Sequence, residues 1–159
     1  MTDVARDAYS SGGMGLLCLA GRARIVVPAH DILQVIEYRV SSRLPLAARF
    51  VGGLGSFDGR VLISVVIEPQ PKSAVTQRVT KGLLVKRASL DAAAWAIEVS
   101  QVRALVELSP EPVSGVAHHS DKASFVSWRK TREDELVGCV DVPAMLAELG
   151  HARASGSVS

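Results

Sequence analysis

Aromatic residues are scarce in this 159-residue chain, at 4%. A surface that stacks nucleic-acid bases needs exposed aromatic faces, so the scarcity argues against that use. Charge of one sign is missing as well: 18 Lys and Arg against 16 Asp and Glu leave a net charge of +2. That balance calls for neither a polyanion nor an anionic membrane. No apolar run reaches the roughly 18 residues that a membrane span requires. The opening "MTDVARDAYSSG" is polar and holds no apolar stretch of the secretory-leader kind, so a cytoplasmic protein is expected. The two cysteines, Cys18 in "LLCLA" and Cys139 in "VGCVD", sit inside apolar runs. They are expected to be buried, reduced thiols acting as small hydrophobes.

Catalytic signatures are missing too. The stretch "VGGLGSFDGRVLISVVI", Val51 to Ile67, opens with four glycines in nine residues. It does not fit the dinucleotide fingerprint, and it leads into a strand instead of a helix, so it is no phosphate loop. His118-His119 lies in a polar loop without Cys, Asp or Glu at ligand spacing and reads as solvated. "WRKTREDE" mixes both signs and reads as a solvated hairpin end. Ser, His and Asp occur, but nothing places them together as a triad. The expectation is no catalysis, no cofactor and no metal.

What is present is apolar: 48% of residues are hydrophobic, enough for one domain or two very small ones sharing an interface. "GLLCLAG" and "RARIVVPA" read as strands joined at Gly21-Arg22. In "HDILQVIEY", Asp31 reads as the N-cap of a helical turn that leads into a strand. "GRVLISVVIE" is too apolar to be half exposed and should be central. "EPQPKSAVTQ" is the best linker candidate. A helix is expected near the end, with Asp141 before it, Pro143 in its first turn and Gly150 after "AMLAEL". Trp95 and Trp128 read as core or as packing between subdomains.

The halves resemble each other. "GLLCL" returns as "GLLVK"; Ile25–Tyr38 lays over Trp95–Leu108 without a gap, with Glu37 on Glu107; "VLISVV" lays over "LVGCVD", and Phe50 over Phe125. Tandem β units give such a pattern. The expected organisation is a tail at 1–13, a first barrel subdomain at 14–79, a second at 80–150 and a tail at 151–159. Units of about 65 residues are near the lower limit for a stable core, so the two should pack together.

"PAHDILQVIEYR" followed by "FVGGLGSFDGRVLISVV" resembles the CheW family of chemotaxis adaptors. Asp31, Ile32, Val35 and Glu37 match its D-I-x-x-V-x-E core; Phe50, Val51, Gly53, Leu54, Phe57 and Gly59 match its later glycine turn. The resemblance spans roughly Gly15 to Leu149. It implies an all-β fold of two five-stranded SH3-like barrels packed side by side. It also implies a non-enzymatic scaffold, without cofactor, that couples a chemoreceptor's cytoplasmic tip to the regulatory domain of a CheA-type histidine kinase in chemotaxis and motility. The receptor groove would map to Val35, Glu37, Ser56, Phe57 and Asp58, and the kinase-facing side to Arg43, Leu44, Leu46 and Val51. Asp58 departs from the family, which keeps an Arg there near the matched Glu; Ser56 replaces its Asn, and "LISVV" lacks its Pro and Asp. One interface is therefore expected to be altered. The competing expectation is a small-barrel nucleic-acid binder, disfavoured by the charge and aromatic content.

Overall fold

Ile25, Val26 and Val27 are all fully buried. Successive residues of a strand point to opposite faces, so a strand with no exposed face lies between two cores. Leu62–Val65 and all of Ala94–Val99 behave the same way. The computed structural model describes residues 13–42, 50–67, 78–86, 93–109, 113 and 123–157, and it shows where those cores are.

The strands are β1 (Gly13–Ala20), β2 (Ala23–Pro28), β3 (Ile32–Ser42), β4 (Val51–Phe57), β5 (Arg60–Val65), β6 (Arg78–Val85), β7 (Ala94–Val99), β8 (Gln101–Leu108), β9 (Val126–Lys130) and β10 (Leu136–Val140). A 3-10 turn, Ala29–Asp31, precedes β3, and helix α1 (Val142–Ser157) ends the chain. Strands β3-β4-β5-β7-β6 form a closed barrel; β8-β1-β2-β10-β9 form a second, five-stranded sheet. The ends of that sheet meet through one bridge, Leu108 to Thr131, and through Ser109 N–H donating to the Lys130 carbonyl at 2.8 Å.

The repeat is real in strand order, but the halves exchange strands. The first half gives β1 and β2 to the sheet and β3 to β5 to the barrel; the second gives β6 and β7 to the barrel and β8 to β10 to the sheet. Two parallel joints close the exchange, β5 with β7 and β2 with β10. They are corresponding positions in the two halves. The strand pairing therefore does not follow the expected division into 14–79 and 80–150: neither stretch closes a barrel alone.

Three apolar layers follow. Ile36, Tyr38, Val40, Leu62, Ala94 and Ala96 line the barrel interior, while Val26, Leu108, Val137 and Cys139 line the hollow of the sheet. The largest cluster lies between the two units and includes Ile25, Val27, Ile63, Val65, Leu83, Trp95, Ile97 and Val140. The two phenylalanines that the repeat overlays pack at this joint, Phe50 edge-on to Phe125 with centroids 5.8 Å apart. Helix α1 closes it with Val142, Met145 and Leu149, an i, i+3, i+7 stripe. Asp141 accepts a hydrogen bond from the Ala144 N–H at 3.1 Å and caps the helix.

Some expectations shift. The helix runs through Gly150 to Ser157, into the expected tail, because a helical glycine costs only about 1 kcal/mol and Gly150 does not take the positive φ that would end a helix. Gly13 belongs to β1, paired with Leu108, and not to a tail. Asp31 closes the 3-10 turn instead of opening it. The rest of the expected N-terminal tail, the linker candidate at 68–77 and His118-His119 lie outside the described residues.

Candidate functional site

Strand β3 alternates sharply. Ile36, Tyr38 and Val40 are buried in the barrel, while Val35, Glu37 and Arg39 are exposed on its outer face. The ladder carries that outer surface around the closed barrel, since directly paired residues share one side of the sheet. Arg39 pairs with Val79 of β6 and with Ser56 of β4, and Ser56 pairs with Val61 of β5. All four are exposed: Val79 at 64% and Val61 at 54% are among the most exposed apolar side chains of the chain. One row along, Glu37 pairs with Lys81. The β3–β4 pairing ends at Arg39 and Ser56, and Asp58 lies in the turn just beyond β4. The next outward pair, Val35 with Leu83, reaches the joint with the sheet, where Leu83 is buried.

Among the described residues, Glu37, Arg39, Asp58 and Lys81 make no side-chain hydrogen bond or ion pair. The Asp58-Gly59 turn is a tight reversal with φ of 51 and 75. Both central residues being left-handed is the signature of the hairpin turn favoured by Asp-Gly.

Of the expected receptor-side residues, Val35, Glu37 and Ser56 are exposed on the outer surface of β3 and β4, and Asp58 is exposed in the turn that follows β4. Phe57 points the other way and packs on the barrel interior. Of the expected kinase-side residues, Val51 is half-buried against the core between the units. Arg43, Leu44 and Leu46 lie outside the described residues. Arg39, Val61, Val79 and Lys81 are exposed on the same barrel's outer surface without having been singled out by the sequence. Alternation from Glu37 points to Arg39; the other three required the ladder.

Behind this face the barrel encloses a polar chain. Arg78 donates from both terminal nitrogens to Glu98, its Nη2 to Oε2 at 2.7 Å. Ser64 donates its hydroxyl to Glu98 Oε2 at 2.6 Å. That uses the only proton of Ser64, so the Tyr38 hydroxyl is the donor in its 2.6 Å contact with Ser64 Oγ. Burial pushes the Tyr38 phenol well above its ordinary range, and the Glu98 hydrogen bond raises Arg78. Two glycines make the space. A Cβ on Gly52 would sit 2.5 Å from Glu98 Oε2, and one on Gly82 would sit 2.6 Å from Tyr38 Cε1. Part of the glycine richness after Val51 thus serves close packing and not a bound phosphate. Every hydroxyl proton in the chain has an acceptor, which makes it a rigid internal brace. Burial also pushes both thiols, Cys18 and Cys139, up to about 11, so neither is an activated nucleophile. Among the described residues no three His, Cys, Asp or Glu gather where they would hold a metal ion. No described helix is long and apolar enough to cross a membrane.

No family model matches the sequence, and no curated protein matches it significantly. The structure does match a solved one: the scaffolding protein TtCheW from Thermoanaerobacter tengcongensis, at TM-score 0.58 and 13% identity, over 82% of this chain and 89% of that one. The fold is CheW-like. An identity this low carries the architecture and nothing of partners, so the reading of the exposed face rests on the residues described above.

Proposed function

We propose that this protein is a non-enzymatic CheW-like adaptor of a chemosensory complex in the cytoplasm. It couples a chemoreceptor's cytoplasmic tip to the regulatory domain of a CheA-type histidine kinase, with the receptor contact altered. One observation carries the reading: on a fold like that of a scaffolding protein, the barrel's outer surface presents exposed valines among charged side chains that pair with nothing among the described residues. Exposed apolar groups bordered by polar ones mark partner sites. Asp58, exposed in the turn after β4 where the resembled family keeps an Arg near the matched Glu, supports an altered receptor contact, because two carboxylates brought together there repel.

The test is binding of the purified protein to two separate baits from the same cell, a kinase regulatory domain and a chemoreceptor cytoplasmic fragment, with a mixed-sequence oligonucleotide as third arm. Kinase binding with weak receptor binding is the expected result. Binding to neither protein bait, or to the oligonucleotide alone, rejects the adaptor.

A further inference from the structure

Each unit has one strand with a bulge at the same place. The β3–β6 register skips Leu33, and the β8–β1 register skips Arg103. The overlay that sets Glu37 on Glu107 also sets Leu33 on Arg103. Bulges gather where strand pairing ends or a side chain is re-aimed. At both, three consecutive residues are exposed, Leu33–Val35 and Arg103–Leu105, so each strand meets solvent on both faces there.

On β8 the edge is open as well. It is the last strand of its sheet, and among the described residues its outer side meets β9 only at the Leu108–Thr131 bridge. There the Arg132 N–H donates to the Glu107 carbonyl at 3.0 Å, so the backbone groups of Glu107 point away from β1. Alternate residues of an antiparallel strand share that direction, and the register is regular between Ala104 and Leu108, so the N–H and C=O of Leu105 point outward too. No described strand lies beside them. The Leu105 side chain is 61% exposed, and "QVRAL" holds neither the Pro nor the Lys that commonly blunts an edge. Arg103 is exposed and makes no side-chain hydrogen bond or ion pair among the described residues; Arg132 stands exposed at the other end of the opening.

We infer that the open edge of β8, Gln101 to Leu105, takes up an extended, acidic segment of another protein as an added strand. The segment's backbone would pair with the N–H and C=O of Leu105. An apolar side chain would lie beside Leu105 and an acidic one beside Arg103. The segment must leave the edge before Glu107, where Arg132 already sits. A second copy of this chain does not fit, because two β8 edges side by side would bring Arg103 and Arg132 of both copies against two Glu107 carboxylates. The bulge on β3 carries Leu33 in place of the arginine, so the preference for acid belongs to β8.

The test uses the full chain and a capped hexapeptide of alternating valine and glutamate at millimolar concentration, with amide exchange followed by NMR. In the free protein the Leu105 amide should exchange without protection, and saturating peptide should slow it about tenfold or more. The same peptide N-methylated on its edge-facing amides should not bind, and neither should a valine–lysine hexapeptide nor a helical alanine–glutamate peptide. Arg103→Glu should weaken the valine–glutamate peptide about tenfold and turn the preference to valine–lysine, with circular dichroism unchanged. Leu105→Pro removes an outward N–H, which an edge strand tolerates, and should abolish binding. A Leu105 amide already protected in the free chain, full binding of the N-methylated peptide, equal binding of both charge signs, or no binding at all would overturn the inference.

Discussion

The barrel and the sheet solve the same packing problem with opposite chemistry. The sheet has an apolar hollow, and several of its outer charges satisfy one another: Arg24 with Glu135, Arg132 with Glu107 at 3.0 Å, Lys130 with Asp134 at 3.1 Å. The barrel hides its ion pair inside, Arg78 with Glu98, and leaves Glu37, Arg39, Asp58 and Lys81 unpaired outside among the described residues. Surface pairs contribute only about 0–1 kcal/mol each, so the difference is not about stability. What differs is where the ion pairs lie: three on the outside of the sheet unit, and one inside the barrel.

The comparison breaks first at the joint. If both units depend on the layer between them, Trp95→Ala should destabilise the whole chain by about 3–5 kcal/mol, since it empties a site that is 6% exposed. Calorimetry should show one transition moving down as a unit. Two separated transitions, one assignable to each unit, would mean that they fold independently and that the strand exchange does not bind them.

Next comes the brace. Glu98→Ala leaves Arg78 and Ser64 without their common acceptor and Tyr38 at the end of a broken chain. Removing one partner of a buried pair costs about 3–5 kcal/mol, and the partial exposure of Arg78 lowers that to roughly 2–4. The double variant Arg78→Met, Glu98→Leu should recover most of the loss, because apolar replacement of a whole buried pair is often neutral. Urea titration of the three proteins decides it. If the double variant is as unstable as the single one, the chain of hydrogen bonds is worth more than its desolvation cost.

How much of this was legible in the sequence differs between the units. The element order and the likeness of the halves were readable, because apolar runs and turn residues are local. The exchange was not. An overlay of "VLISVV" on "LVGCVD" says that β5 and β10 are alike, and it is silent on which strand lies beside each. Parallel neighbours β7 and β2 come from the opposite half, a choice made by tertiary packing. On the barrel's outer surface, Val35 and Glu37 were reached through the resembled motif, and the alternation of β3 from Val35 onward agrees with them. The same period puts Phe57 opposite in direction to Ser56, so its inward position was in the sequence and was overridden by motif matching. Glu98 in "AWAIEV" also left a signal: an acid in an otherwise apolar strand is buried with a partner or misplaced. That the partner is Arg78 only the fold shows.

A smaller effect tests the seam between the units by pH. Burial raises the Asp31 carboxyl to about 6, with a further push from Asp141 and an opposing pull from Lys86. A folded pKa above the unfolded value means that the native state holds the proton more tightly. This group's stabilising contribution is therefore present at low pH and lost as pH rises through about 6. His30, 3.3 Å from Asp31, works against it: its lowered pKa makes stability fall on acidification. Comparing wild type with Asp31→Asn isolates the carboxyl. The variant should gain about 1 kcal/mol at pH near 7.5, after discounting for solvent, roughly half of that near pH 5, and nothing below the unfolded carboxyl's 3.8. Equal pH slopes for both proteins would remove Asp31 from the seam's titration.

The smallest effect on folding, and the most telling for the face, is at Asp58. Its φ of 51 is left-handed, a region that Asn tolerates and a long side chain does not. Asp58→Asn should leave the melting temperature unchanged, while Asp58→Arg adds strain of about 1–2 kcal/mol, a fall of several degrees. Binding should move the other way. The Asp58→Arg variant restores the charge that the resembled family keeps near the matched Glu and replaces a repulsion with an attraction at that corner. A receptor fragment that an ordinary CheW binds should therefore bind the Arg variant best, the Asn variant less and the wild type least, with mismatched charge worth up to several kcal/mol at an interface. Titration calorimetry with that fragment separates the outcomes. If the wild type already binds as tightly as an ordinary CheW and neither variant changes the affinity, the carboxylate pair is neutral. The receptor contact is then not altered, and the unpaired charges of the barrel owe their exposure to some other partner.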